Sequence, residues 1–127
     1  MKKIEAIIKP FKLEEVRAAL EAVGIESMTV TEVEACGWER GQTETFHGSE
    51  YVMEFLPKMQ VNLLVEDWEA EDAADAIIAA ATTGKIGDGK VVISSVEEVI
   101  AIGRDAEGNG LKRTTPLHQR PIANAAA

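Results

Sequence analysis

KKIEAIIKPFKLEEVRAALEAVG, Lys2–Gly24, changes its period once, and that change decides the fold. Over the first seven residues Ile4, Ala6 and Ile8 fall on one side and Lys3, Glu5 and Ile7 on the other, the period of a half-buried strand. Pro10 ends it. From Lys12 the apolar residues Leu13, Val16, Leu20 and Val23 recur at steps of three and four, with Glu14, Glu15, Arg17 and Glu21 between them, which predicts an amphipathic helix stopped at Gly24. MTVTEVEA, Met28–Ala35, alternates again and is rich in β-branched residues, so it reads as a second strand.

The same order returns in the second half. VMEFL is broken by Pro57, and MQVNLLVE, Met59–Glu66, reads as a strand. EAEDAADAIIAAAT, Glu69–Thr82, reads as a helix whose acidic residues crowd the dipole-favoured first turns. VVISSV and EEVIAI give two short strand candidates between Val91 and Ile102. Two β-α-β units joined by a long loop predict an α+β, ferredoxin-like sandwich: an antiparallel sheet with two helices on one face. The other face stays bare, and its apolar side chains predict self-association.

Length and charge narrow the function classes. The 127 residues suit one domain, expected over residues 1–104, with 105–127 a flexible or loosely docked tail. A formal charge of −9 opposes binding to nucleic acid and to anionic membrane surfaces, so an anionic ligand requires a local pocket. Cys36 is the only cysteine, which excludes an intrachain disulfide and leaves a partly buried, small apolar side chain as its expected role. No secretory leader and no span of about 20 apolar residues is legible, and a cytoplasmic protein without membrane insertion is expected.

TTGKIGDGKVV, Thr82–Val92, holds three glycines and two lysines. Glycines let a backbone approach a phosphate, and Lys85 and Lys90 add charge. The spacing is neither that of a Walker A loop nor that of a dinucleotide fingerprint. Read alone, the stretch suits a phosphate cradle or a solvated turn around Asp88-Gly89, the dipeptide of a tight hairpin. GWERGQTETFHGSEY, Gly37–Tyr51, reads as a long loop of the kind that carries function.

Four stretches in this order resemble the PII family of nitrogen-signalling proteins over roughly residues 1–100. They are MKKIEAIIKPFKLEEVRAAL, MTVTEVEACG, GQTETFHGSEYVMEFLPK at the family's T-loop and TGKIGDGKV at its B-loop. The resemblance implies a homotrimer that takes ATP or ADP in clefts between subunits, with magnesium and 2-oxoglutarate as further ligands. It implies a target, a membrane transporter or a cytosolic enzyme, met through the T-loop. Carried over by position, Gly87, Gly89 and Lys90 would cradle phosphates, with Gly37, Trp38, Asp88 and Arg104 beside them. Thr29 and Leu64 would lie near the adenine, and Lys58 would pair with a 2-oxoglutarate carboxylate near Glu39, Gly41 and Gly87. Tyr51 falls where the family carries its uridylylated tyrosine.

The chain also departs from the family pattern. Trp38-Glu39 replaces Arg-Gln, so Glu39 can still ligate magnesium through oxygen yet repels a dicarboxylate. Ala101 and Gly103 stand in place of two phosphate-binding arginines, and Arg104 is displaced by one residue, which in a strand reverses the face. Fewer cations favour ADP or AMP over ATP, and bicarbonate joins 2-oxoglutarate as a candidate small anion. Phe46-His47-Gly48 replaces Tyr-Arg-Gly, and Val92 replaces an aromatic. No nucleophile-base set and no His/Cys/Asp/Glu metal spacing is evident around His47, His118 or the acidic run Asp67–Asp72.

The expected function is a nucleotide-responsive regulator rather than an enzyme. The rival readings are a trimeric adaptor that has lost 2-oxoglutarate or nucleotide sensing, and a weak hydrolase using Glu39.

Overall fold

The structure is a computed structural model that describes residues 1–40, 51–103 and 113–114, with side chains for 1–36 and 55–103. Strand β1 (Lys2–Ile8) leads through a short turn at Pro10–Lys12 into α1 (Leu13–Ala22). The long strands β2 (Thr29–Arg40) and β3 (Tyr51–Val65) follow, then a turn at Asp67–Glu69 and α2 (Ala70–Ala81). Strands β4 (Gly89–Ser95), β5 (Val99–Ile100) and β6 (Arg113–Thr114) complete the described chain. The main sheet runs β2-β3-β1-β4 with every neighbour antiparallel, the split β-α-β order predicted from the two matching halves.

Burial in β1 follows the period of Lys2–Ile8. Ile4, Ala6 and Ile8 are buried against Val16 and Leu20 of α1 and Ala73, Ile77 and Ala81 of α2, and Val61, Leu63 and Val65 of β3 complete this core. Each fully buried Ile, Leu or Val contributes about 1.5–3 kcal/mol by leaving water. The small faces of Ala70, Ala73 and Ala81 let α2 lie close to the sheet. Gly24, at φ +91°, ends α1: its amide donates to the Glu21 carbonyl and the Ile25 amide donates back to Leu20, which satisfies two of the last carbonyls. Val23, placed on the apolar stripe by its spacing, is instead half-exposed, because the helix is ending where it would meet the core.

Three expectations from sequence are corrected. Pro57 does not break a strand; β3 runs through it in register with Glu34 of β2. The pairing of β3 with β1 starts only at Met59, so Pro57 lies where β3 has one neighbour and a missing donor is tolerated. The region Gly37–Tyr51 is not loop throughout, since β2 continues to Arg40 opposite Tyr51 of β3. Its pairs, such as Trp38 with Met53, come from two segments, and no period within either reveals them. Cys36 is exposed, because β2 there has passed beyond the helices and no layer covers it.

Residues 33–40 and 51–58 therefore make a two-stranded ribbon of about 27 Å that extends beyond β1 and β4. In the segment beyond residue 104, Arg113–Thr114 pairs with Val99–Ile100. Among the described residues no helix is long and apolar enough to cross a membrane.

Ile77 contacts the sheet from the centre of α2 and is fully buried. Ile77→Ala should lower unfolding free energy by about 2–5 kcal/mol, the cost of the lost transfer energy and the cavity left behind. The urea midpoint at unchanged slope measures it.

Candidate functional site

Directly opposed residues of an antiparallel pair share a face of the sheet. Ile7 opposes Gln60 and Lys90, Lys3 opposes Leu64, Thr29 opposes Asn62, and Val33 opposes Lys58. The pleat thus places Thr29, Lys58, Leu64 and Lys90 all on the face away from the helices.

The predicted residues form two groups. Thr29 and Leu64 line an open cavity of about 630 Å³ with Ser27, Asn62, Val96 and Val99, near the start of β1. Gly87, Asp88, Gly89 and Lys90 lie near the end of β1, where Ile8 pairs with Gly89. Leu64 is four strand residues and two strand spacings from Lys90, and Thr29 is two residues and three spacings from it, roughly 16 Å in each case.

The loop of residues 82–88 joins α2 to β4, so Asp88-Gly89 is not a hairpin turn. Gly89 has a steric reason to be glycine: at φ +124°, a Cβ would stand 1.8 Å from the Ile7 carbonyl oxygen. Gly87 is left-handed at φ +86°, and its carbonyl accepts a 2.5 Å hydrogen bond from Lys58 Nζ. Lys58 is buried at the foot of the ribbon. Its ammonium has three donors, and no carboxylate among the described residues pairs with it. A buried charge held by one neutral acceptor is costly, and a small anion would relieve that cost.

Asp88 turns its carboxylate into the loop. Thr83 Oγ1 donates to Oδ1, and the amides of Thr83 and Gly84 donate to Oδ2 at 2.8 and 3.0 Å. Lys9 Nζ lies 3.1 Å from Oδ1. The hydrogen bond from the Thr83 hydroxyl, the Thr83 amide, Lys9 and the Gly84 amide hold this carboxyl well below the usual carboxylate range, against the opposing effect of burial. The Lys85 amide donates to Thr83 Oγ1 at 3.1 Å. These bonds engage the amides of Thr83, Gly84 and Lys85 and leave those of Ile86, Gly87 and Asp88 outside the network. Lys85 and Lys90 are exposed beside them.

Of the other predicted residues, Gly37, Trp38, Glu39 and Tyr51 lie on the ribbon, described by backbone alone: Gly37 opposes Glu54, Glu39 opposes Val52, and Tyr51 opposes Arg40. Gly41 and Arg104 lie outside the described residues, as do Phe46, His47, Gly48 and His118. Sequence reasoning misses Lys9 and Thr83 as site residues, although both lie within the stretches that carry the family resemblance. Neither belongs to the glycine-lysine pattern, and only the fold brings residue 9 beside residue 88. No group of three His, Cys, Asp or Glu suited to a metal occurs among the described residues.

Comparison with known proteins is decisive for the family. The profile described as Nitrogen regulatory protein P-II matches residues 1–107. The chain belongs to the P-II family. It is 56% identical over 102 residues to the Nitrogen regulatory protein P-II of Rhizobium meliloti (strain 1021), covering 80% of this chain and 91% of that protein. It is 56% identical over 109 residues to the Nitrogen regulatory protein P-II of Microchaete diplosiphon, covering 86% of this chain and 96% of the relative. The similarly named protein of Azospirillum brasilense is 53% identical over 108 residues, covering 85% and 96%. P-II proteins are regulators of signal transduction in nitrogen control, not enzymes, and the ferredoxin-like sandwich is their fold.

The geometry predicts a pH signature for this P-II chain. Because the folded-state affinity of Asp88 for a proton is depressed, the stabilisation it supplies is fully present above about pH 4, the ordinary carboxylate value, and is lost progressively at lower pH. Asp88→Asn should unfold at lower urea than the parent at pH 7, and the two midpoints should converge as the pH falls from about 4 towards about 2.

Proposed function

We propose that this P-II family chain is a cytoplasmic homotrimer that binds ADP, ATP or AMP in the clefts between protomers and transmits the bound state to a target transporter or enzyme through the segment at the end of its ribbon. The observation that carries this reading is the bond from buried Lys58, at the ribbon foot, to the carbonyl of Gly87 in the glycine loop. It joins the anion-binding candidate to the candidate effector segment through one side chain.

The nucleotide would be divided between chains. Gly87, Gly89 and Lys90 of one protomer would take its phosphates, and Thr29 and Leu64 of the next would take its base. Two features support the division: the groups stand roughly 16 Å apart within a chain, and the bare face carries half-exposed Leu56, Leu64 and Val92 that a second copy would cover. Trp38, Asp88 and Arg104 would complete the phosphate end, Asp88 by shaping the loop.

A small anion, 2-oxoglutarate or bicarbonate, would sit at Lys58 near Gly41, with magnesium held by Glu39. An anion there would take the remaining donors of the Lys58 ammonium beside its bond to Gly87. The loop and the ribbon then change together, and a ligand that prefers one arrangement shifts the population towards it. Uridylylation of Tyr51 would act on the same ribbon from its far end.

Sedimentation should give a trimer, and calorimetry should show uptake of at least one adenine nucleotide. Lys90→Ala should weaken that uptake by about tenfold, as loss of one charge-assisted contact implies. A trimer that shows neither heat nor thermal shift with ATP, ADP or AMP would select the adaptor reading, and a monomer would refute the cleft. Lys58→Met should abolish any effect of 2-oxoglutarate or bicarbonate on nucleotide affinity while the trimer persists.

A further inference from the structure

We propose that Lys9 is a positioning residue of the glycine loop, cancelling the charge of the loop's single carboxylate so that an anion can approach the amides beyond it. The proposal rests on the reading of residues 82–90 as an anion site.

Asp88 presents a paradox for such a site, since a carboxylate next to Gly87, Gly89 and Lys90 repels the phosphate these residues would hold. The structure resolves it. A carboxylate has about four acceptor positions, and here two amides, one hydroxyl and one ammonium take them all. The amides and the hydroxyl remove lone pairs but no charge. Lys9 removes the charge.

Its position suits that task. Lys9 follows directly on β1, the strand to which Gly89 is pinned, and its side chain is only 18% exposed. Its ammonium lies 3.3 Å from Thr83 Oγ1 as well as 3.1 Å from Asp88. The Thr83 hydroxyl gives its proton to Asp88 and accepts from Lys9 and from the Lys85 amide, so all its bonding capacity is used. The network is therefore closed and neutral, beneath a loop whose next amides, at Ile86 and Gly87, stand outside it. The neighbouring Lys12 is paired with Glu15 and Arg17 with Glu14, so neither is placed to substitute.

The test compares full-length Lys9→Met and the double variant Lys9→Met/Asp88→Asn with the parent. ADP and inorganic pyrophosphate are the titrants, and hydrogen exchange of the Thr83 and Gly84 amides is followed without ligand. Lys9→Met should weaken both titrants about tenfold at low ionic strength and less at about 0.5 M salt, because the exposed charge is screened. The double variant should recover most of the loss, because an asparagine in place of Asp88 keeps an acceptor and carries no charge. A merely structural Lys9 would leave the double variant as weak as the single one, and that result overturns the proposal, as does parental affinity in Lys9→Met. If the parent binds neither titrant, the anion-site reading fails by itself. The exchange arm then decides about Lys9: faster exchange of Thr83 and Gly84 in Lys9→Met, by about tenfold, supports its hold on the loop, and unchanged exchange overturns it.

Discussion

The approach of β4 to β1 at Gly89 is the constraint on which the candidate site depends. A side chain there would occupy the space of the Ile7 carbonyl oxygen, so the strand can enter the sheet only with a bare residue at its first position. That contact fixes the height at which the preceding loop leaves the sheet. The loop is then close enough to Lys58 for a direct hydrogen bond and to Lys9 for an ion pair. A glycine that a sequence reader assigns to phosphate approach is thus required by strand pairing first. The two requirements are compatible, since the same lack of a side chain that lets backbone meet backbone leaves the loop's outer edge open to an anion.

Charge is distributed in the same spirit. The chain carries −9 overall, yet Lys9, Lys58, Lys85 and Lys90 gather where the loop, the sheet end and the ribbon foot meet. Lys9 is neutralised within the loop, and Lys58 is buried on a neutral acceptor. An anion drawn to this corner of an acidic molecule would answer to local donors and not to the long-range field. The acidic start of α2 is used differently. Glu69 accepts the Glu66 amide in a capping box, and Asp67 meets the Met1 ammonium, so its charges hold the turn after β3.

Some of this is legible in single segments. The alternation in Lys2–Ile8 and the three-and-four spacing of Leu13, Val16 and Leu20 specify which side of each element is apolar, and burial follows that pattern residue by residue, with Val23 the exception at the helix end. Sequence misleads where a residue's state depends on a second segment. Pro57 reads as a break because its tolerance depends on where β1 stops pairing. Gly37–Arg40 reads as loop because its partner strand begins only at Tyr51, across the turn of the ribbon. The composition around Cys36 suggests partial cover, and only the reach of the helix layer determines that it is exposed.

The amino-acid sequence by itself determined the α+β class, the two matching halves, the apolar face of each strand and helix, and the glycine-lysine composition of the loop, because these depend on local period and backbone freedom. Tertiary structure alone decided that Asp88 faces inward, that Lys9 neutralises it, and that Lys58 reaches Gly87. It also decided that Thr29 and Leu64 lie two or three strands across the sheet from Lys90. These are relations between segments as many as 79 residues apart, from Lys9 to Asp88, and they exist only once antiparallel pairing has set the register.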